Sequence, residues 1–335
     1  MSTNNPRIAA IGTGGSISAV GRDSLDLFDY GSTGIRVEPQ ELLDRVPEVA
    51  TVADVVCVPF RSVSSEAFGP SDWLELNELV HRTAAEDPTL AGMIVIHGTC
   101  TLEETAYFLN LTVKVDIPVV LVAAQRSING LSSDGPLNLV NAVRVAAAPD
   151  ARGLGVITVL NDEIQAARDV TKVSTHRVNT FRTPDLGILG YADADGRVAV
   201  YRRPARRHAP DSEFDLRSIG ELPRVDIVYS YGGCDGTAID AFVAAGARGI
   251  VSAAFPPGLP GSGQKAALAE ARRLGVHVFI TSHGGSGRVL ERAALRDAGY
   301  VAADNLSPKK ARILAMLALT RTDDVAELRR IFQEY

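Results

Sequence analysis

Short apolar runs alternate with segments of helical periodicity along the whole chain. The apolar runs predict buried strands, and the periodic segments predict amphipathic helices. Over the first 201 residues the predicted strands are 6–11, 52–60, 92–97, 117–123, 153–160 and 197–201, and the predicted helices are 71–85, 102–113 and 137–147. Strands and helices that alternate in this way are typical of a parallel sheet covered by helices on both faces.

A second, smaller series follows residues 202–224, a segment with few consecutive apolar residues and with prolines near its start. That composition indicates a connection between domains. Beyond it the predicted strands are 225–231, 249–254 and 276–281, and the predicted helices are 238–245, 264–274, 308–319 and 323–334. We therefore predict an α/β protein with a larger N-terminal parallel-sheet domain at 1–201, a linker at 202–224 and a smaller C-terminal α/β domain at 225–335.

Composition and charge narrow the class of protein. The net charge of −6 comes from interspersed acidic and basic residues, without the basic stripe expected of a protein that binds nucleic acid. The polar N-terminal segment MSTNNPR and the lack of any run of about 18 apolar residues predict neither a secretory signal nor a membrane span. Three widely spaced cysteines, Cys57, Cys100 and Cys234, argue against a disulfide framework and a zinc site, and they predict a cytoplasmic protein.

Polar residues of nucleophile and base type follow three of the predicted strands. Thr13 lies in the glycine-rich turn after the first strand, Thr99 follows the strand at 92–97, and Lys172 follows the strand at 153–160. Because the carboxyl ends of parallel strands meet at one edge of a sheet, these side chains are expected to gather there.

Ordinary structural roles compete with each of these interpretations. The turn GTGGSI has Ile17 where a dinucleotide-binding motif needs its third glycine, and Thr13 could cap a helix. His97 has no HExxH partner, so we predict a hydrogen-bonded histidine at a strand end and no metal. Lysines such as Lys172 are usually solvated, and Glu103 in a first helical turn usually complements the helix dipole.

Five ordered motifs resemble those of the asparaginase/glutaminase family over most of the chain. They are TGGSI at 13–17, HGTCTLEETA at 97–106, SDGP at 133–136 with Asn138, NDEIQAARDVTKVST at 161–175 and LSPKKARILAMLAL at 306–319. The resemblance implies an asparaginase-like α/β fold and an amidohydrolase that needs no cofactor. It also implies a homo-oligomer, either a dimer or a tetramer.

The resemblance also implies a role for each matched catalytic residue. Thr13 is similar to the family's nucleophile, whose hydroxyl the glycines would leave unobstructed, and Tyr30 looks like the tyrosine that orients it. Thr99 and Lys172 match the family's threonine-lysine pair, with Lys172 as the proton shuttle. The polar, glycine-punctuated stretch 16–34 would be the lid over the substrate. The expected reaction is acylation of Thr13 with loss of ammonia, followed by attack of water on the ester.

Substrate-binding positions carry over in the same way. Counting back from Trp73 places Ser65 on the serine that holds the substrate α-carboxylate, and Glu66 falls where a side chain can contact the α-amino group. The other substrate-binding positions implied by the resemblance are Gly14, Gly98 and Cys100.

Three departures from the family pattern leave the substrate open. Cys100 stands where the family has an aspartate that binds the substrate ammonium, Leu259 stands where an amide is expected, and Glu291 is misaligned with the family's second-domain glutamate. One hypothesis is an L-asparaginase in which Glu66 supplies the lost charge. A second is hydrolysis, by the same mechanism, of a small carboxamide without an α-ammonium, for which Cys100, Phe255 and Leu259 make a less polar pocket. A third is a non-catalytic binding protein on this scaffold.

Overall fold

The computed structural model describes residues 5–335, apart from the side chain of Ser218, so residues 1–4 of the polar N-terminal segment lie outside the described residues. The chain divides into two compact units, Met1–Glu213 and Phe214–Tyr335. The first part of the segment predicted as a linker is bonded within the first unit, because Ala209 N–H donates to Asn110 O at 2.8 Å and Lys114 Nζ to Pro210 O at 3.2 Å. The predicted boundaries at 201 and 225 remain a proposal.

The first unit is built on an eight-stranded sheet with a separate two-stranded hairpin. Its strands are β1 Arg7–Gly12, β2 Asp54–Val58, β3 Leu90–Ile96, β4 Val119–Val122, β5 Val156–Leu160, β6 Glu163–Ala166, β7 Thr171–Lys172, β8 Phe181–Arg182, β9 Gly190–Ala192 and β10 Val198–Val200. The sheet order is β10-β9-β6-β5-β4-β3-β1-β2, and the hairpin pairs β7 with β8. β1 lies between β3 and β2 and has five consecutive buried residues, as expected for an interior strand covered on both faces.

Helices cover this sheet and supply much of its core. They are α1 Pro39–Asp44, α2 Pro70–Glu86, α3 Leu102–Thr112 and α4 Gly135–Ala147. α2 begins at a proline, and the carboxylate of Asp72 accepts the Gly69 N–H at 2.7 Å, which satisfies one of the unpaired donors at a helix start. Trp73 of α2 stacks on Phe108 of α3 with ring centroids 5.3 Å apart. This contact fixes two helices side by side on one face of the sheet.

The sheet is mixed rather than wholly parallel. β2, β1, β3, β4 and β5 are parallel, whereas β6, β9 and β10 continue the sheet by antiparallel pairing. The prediction of a parallel α/β sheet is confirmed for the half that precedes residue 161. The antiparallel part, three of the eight strands, was missed except for β10, because strands of three or four residues are too short for a reliable alternation pattern.

The second unit is a smaller parallel α/β layer, as predicted. Its strands are β11 Val225–Tyr229, β12 Gly249–Ala254, β13 His277–Ser282 and β14 Val301–Ala302, paired in that order. Its helices are α5 Thr237–Ala244, α6 Lys265–Arg273, α7 Ala293–Asp297, α8 Pro308–Ala318 and α9 Val325–Glu334. Phe279 of β13 stacks on Phe332 of α9 with centroids 4.9 Å apart, and both rings are fully buried. The C-terminal helix is thereby part of the core of this unit.

Candidate active site

Three loops of the first unit meet at glycine positions where no side chain would fit. Gly15 has φ +98°, and a Cβ on it would lie 2.4 Å from the Cα of Gly98. A Cβ on Gly98 would in turn lie 2.3 Å from the Cβ of Ser65. Since such approaches are sterically forbidden, only glycine lets the turns after β1 and β3 touch each other and the loop before α2. The predicted gathering of polar residues at this sheet edge rests on these contacts.

Thr13 is held against β3 by two hydrogen bonds to one carbonyl. Its N–H donates to Ile96 O at 2.8 Å, and its Oγ1 donates to the same oxygen at 3.1 Å. The short 3₁₀ turn Ser16–Ser18 begins after Gly15 without a side-chain cap, so Thr13 does not cap it. Thr13 is 1% exposed, and the expectation of an unobstructed hydroxyl is therefore wrong for this conformation. The Thr13 side chain is therefore closed off from solvent in this conformation.

Lys172 and Thr99 are brought together, although 73 positions separate them in the chain. Lys172 Nζ donates to Thr99 Oγ1 at 2.8 Å, Thr99 is 5% exposed and Lys172 is half-buried. The backbone N–H of Lys172 donates to Glu103 Oε1 at 3.3 Å, and Glu103 is fully buried in the first turn of α3. From the sequence, we expected Glu103 to complement the helix dipole. Its carboxylate also holds the strand that carries Lys172. No spacing rule signals a contact between such distant segments.

Tyr30 bonds beside Thr13 rather than to it. Its hydroxyl lies 3.0 Å from Ser16 Oγ and 3.0 Å from the carbonyl oxygen of Gln125. A carbonyl only accepts, so the phenol donates to Gln125 and accepts from Ser16. Among the residues described, Tyr30 makes no hydrogen bond to Thr13. Its predicted role in orienting the nucleophile stays a prediction.

The predicted lid, residues 16–34, is tied down at several points. Gly21 and the side chain of Asn129 exchange two hydrogen bonds of 2.8 Å, and Leu131 N–H donates to Ser24 O at 2.7 Å. Near the lid's ends, Ala19 pairs with Arg36 in an isolated antiparallel bridge. These contacts anchor the predicted lid to the loop after β4 and to the residues that follow it in the chain.

The side chains predicted to bind substrate lie in the loop before α2 and just before the start of α3. Ser65 is 9% exposed, and its Oγ accepts the Cys100 N–H at 3.4 Å. Cys100 itself is exposed. Glu66 is also exposed, and the Ser64 hydroxyl that donates to its carboxylate, helped by the charge of Arg36, holds the pKa of Glu66 below its usual value. Glu66 is thus a solvent-accessible carboxylate that stays ionised near neutral pH.

A fully buried histidine supports the turn that contains Thr99. His97 Nδ1 lies 2.8 Å from Gly98 O, and Nε2 lies 3.1 Å from Thr105 Oγ1, which also accepts the Trp73 indole N–H at 3.1 Å. The carbonyl requires the proton on Nδ1, so Nε2 accepts from Thr105. Burial lowers the pKa of His97 to about 4, and the imidazole is therefore neutral. The prediction of a hydrogen-bonded histidine at a strand end is confirmed.

Two residues singled out in the second unit have local partners there. Leu259 is 44% exposed and pairs with Phe255 across a tight loop, through hydrogen bonds of 3.0 and 2.8 Å. Glu291 forms an ion pair with Arg329 of α9 at 3.4 Å. Both contacts lie within unit Phe214–Tyr335.

Within residues 5–335, no group of three or more His, Cys, Asp or Glu side chains is placed to hold a metal ion. Over the same part of the chain, none of the helices combines the length and the apolar character needed to cross a membrane.

Comparison with known proteins found matches to both parts of the chain. Residues 7–206 match the family model for the N-terminal asparaginase domain, and residues 224–332 match the model for the glutaminase/asparaginase C-terminal domain. The chain is 40% identical over 336 residues to a glutaminase-asparaginase of Pseudomonas fluorescens biotype A, covering 99% of this chain and 91% of that protein. It is 39% identical over 332 residues to L-asparaginase 2 of Escherichia coli strain K12, covering 98% and 93%.

A solved structure is similar over the full length as well. The crystal structure of a probable cytoplasmic L-asparaginase from Campylobacter jejuni superposes with a TM-score of 0.94 at 36% sequence identity, covering 99% of this chain and 100% of that one.

The neutral state of His97 predicts a pH dependence of stability. The folded pKa of about 4 lies below the ordinary value of 6.5, so the unfolded chain binds a proton between these pH values while the folded chain does not. The contribution of His97 to the unfolding free energy is therefore complete above about pH 6.5 and falls by about 3 kcal/mol as the pH drops to about 4. Urea denaturation of the wild type and of His97→Gln at pH 7, 5 and 4 should give a flatter pH dependence for the variant.

Parallel pH dependences in the two proteins would contradict a neutral buried imidazole. An NMR titration of the wild-type His97 ring provides a check that needs no variant, because the ring should remain neutral at pH 5.

Proposed function

Because the chain belongs to the asparaginase/glutaminase family and is an amidohydrolase, we propose that it hydrolyses the side-chain carboxamide of L-asparagine to L-aspartate and ammonia through an acyl-enzyme on Thr13. The observation that carries this proposal is the 2.8 Å hydrogen bond from Lys172 Nζ to Thr99 Oγ1 at the edge where Thr13 lies. A lysine fixed on a buried hydroxyl, beside a second hydroxyl in a glycine turn, is the set of groups that amide hydrolysis requires.

The proposed reaction has two chemical steps, in which Thr13 is the nucleophile and the Thr99–Lys172 pair transfers the proton. In the first, Thr13 Oγ1 bonds to the amide carbon and loses its proton to the Thr99–Lys172 pair, and the carbon–nitrogen bond breaks. The departing nitrogen takes up that proton and leaves as ammonia. In the second, water attacks the ester carbon, its proton passes through the same pair, and Thr13 regains its hydroxyl as the acid is released.

Backbone donors are available for the oxyanion that forms in both steps. The N–H groups of Gly14, Gly98 and Thr99 are buried and have no protein hydrogen-bond acceptor within the described part of the chain. Buried backbone donors are nearly always satisfied, so donors left over at a candidate active site favour a ligand that accepts from them. We assign Gly14 and Gly98 to this task, while Ser65 and Glu66 hold the α-carboxylate and α-ammonium of the substrate.

A second candidate substrate follows from the exposed thiol of Cys100. The resemblance places an aspartate there, directly before α3, where the helix dipole favours a negative charge. With a thiol at this position, the carboxylates at the start of α3 are those of Glu103 and Glu104 in its first turn, and a substrate ammonium loses the partner that the resemblance implies. This favours a small carboxamide that carries a carboxylate but no α-ammonium, hydrolysed by the same mechanism.

The remaining expectations from the sequence belong to the same proposal. The three cysteines are free thiols, which suits the predicted cytoplasmic location. We further propose a homo-oligomer, either a dimer or a tetramer, that needs no cofactor.

Removing the nucleophile should abolish the reaction without unfolding the protein. Thr13→Ala deletes a hydroxyl that bonds one carbonyl, and ammonia release from L-asparagine should fall below detection because no ester can form. Thr51→Ala, at an exposed threonine, is the matched control and should retain full activity. Mass spectrometry of the quenched wild-type enzyme should locate the acyl group on Thr13, and an ester on another residue would refute the assignment.

Removing the proton shuttle should slow turnover strongly. Lys172→Met keeps the length of the side chain and deletes the amino group, so kcat should fall by about 10²-fold or more. Lys265→Met, at an exposed lysine of α6, should leave kcat unchanged. An unaltered kcat in Lys172→Met would reduce Lys172 to a structural residue.

The substrate hypotheses are separated by one set of assays. L-Asparagine, L-glutamine, D-asparagine and succinamate are compared by kcat/KM, and the main proposal predicts the highest value for L-asparagine. A preference for succinamate, which lacks the amino group, would decide for the second candidate. Cys100→Asp should then raise kcat/KM for L-asparagine roughly 10-fold or more, since a charged partner for an ammonium contributes about 2 kcal/mol or more.

A further inference from the structure

The hairpin that carries Lys172 is too small to hold its own shape. β7 and β8 have two residues each and pair Thr171 with Arg182 and Lys172 with Phe181. An isolated two-stranded hairpin is marginally stable at best, even when it is longer than this. The position of Lys172 Nζ therefore depends on contacts that other segments make with this hairpin.

One such contact comes from a buried glutamine on the loop after β4. Gln125 is 8% exposed, and its Nε2 donates to the carbonyls of Thr175 and Arg177, each at 3.3 Å. These carbonyls lie in the loop that joins β7 to β8. Both amide hydrogens of Gln125 are thus directed at the hairpin that presents Lys172.

The backbone of the same residue holds the lid. The carbonyl of Gln125 accepts from the Tyr30 hydroxyl at 3.0 Å, and its N–H donates to Asp134 Oδ2 at 2.9 Å. Asp134 precedes α4, so Gln125 is fixed to the framework through its N–H. A second contact joins the lid to the hairpin loop directly, because the rings of Phe28 and His176 meet edge to face with centroids 5.9 Å apart.

We propose that Gln125 is a positioning residue that couples the lid, residues 16–34, to the hairpin carrying Lys172. Its side chain holds the hairpin and its carbonyl holds the lid, so closure of the lid and placement of Lys172 on Thr99 occur together. Opening of the lid loosens the hairpin and withdraws the shuttle until substrate is enclosed. This inference rests on the proposed function for its effect on turnover, but the coupling itself is a property of the fold.

Hydrogen exchange of the full-length protein measures the coupling without any assay of activity. Gln125→Met keeps the length of the side chain and the backbone carbonyl but deletes both donors. It should raise exchange roughly 10-fold at amides of 171–182 and also in the lid. Coupling is reciprocal, so Tyr30→Phe, which deletes the bond from the lid, should raise exchange in the hairpin as well. Gln40→Met, at an exposed glutamine of α1, is the matched control and should change neither segment.

Turnover measures the consequence for Lys172. In Gln125→Met, kcat for the best amide substrate should fall about 10- to 100-fold with KM changed less than about threefold, because the shuttle is misplaced while the substrate-binding loops are untouched. Gln125→Glu, which sets a carboxylate against the same two carbonyls, should show the same pattern.

Each outcome bears on one part of the inference. Faster exchange confined to the hairpin in Gln125→Met, with no response to Tyr30→Phe, would overturn the coupling. Coupled exchange with an unchanged kcat would overturn the positioning role. If the wild type hydrolyses no amide, the proposed function fails, whereas the exchange experiment still decides the coupling.

Discussion

The site depends on backbone contact between the turns that follow β1 and β3. A methyl group on Gly15 would collide with the backbone of Gly98, and a methyl group on Gly98 would collide with the side chain of Ser65. The close approach of the two turns holds Thr13 within hydrogen-bond distance of Ile96 O. It also leaves no space for side chains beside the backbone N–H groups of these turns. The same constraint that closes the sheet edge therefore creates the pocket of donors on which an amide carbonyl would be polarised.

The positions of the titratable side chains at this sheet edge are set by hydrogen bonds to their backbone segments. The Lys172 Nζ reaches Thr99 from a hairpin that is anchored by Glu103 on one side and by Gln125 on the other. Opposite it, His97 is kept neutral and donates to Gly98 O, so the turn bearing Thr99 is fixed without adding a charge. Thr99 is thus held by its own turn, whereas Lys172 is held by contacts that other segments make with a small hairpin.

The strand ends and the glycine turn could be predicted from the sequence, because each lies within a short motif or follows a clear apolar run. The pairing of Thr99 with Lys172 was implied only by the resemblance to the family, since no local pattern connects positions 73 residues apart. The burial of Thr13, the anchoring by Glu103 and the double role of Gln125 could not. Gln125 contacts residues 50 and 95 positions away, and such contacts depend on how the loops pack rather than on local spacing. The antiparallel half of the sheet was missed for a related reason, since its short strands are specified by their partners more than by their own pattern.

The positions of the carboxylates near Thr99 matter most for which substrate the site would bind. Cys100 has a thiol where the resemblance places an aspartate, while Glu66 presents an ionised carboxylate from the neighbouring loop. These two positions differ in burial as well as in chemistry, because Glu66 is exposed and its interactions are screened by water. In the proposed reaction, an exposed Glu66 would replace only part of the charge of an aspartate at position 100, so we expect an α-ammonium to bind more weakly than the family pattern implies.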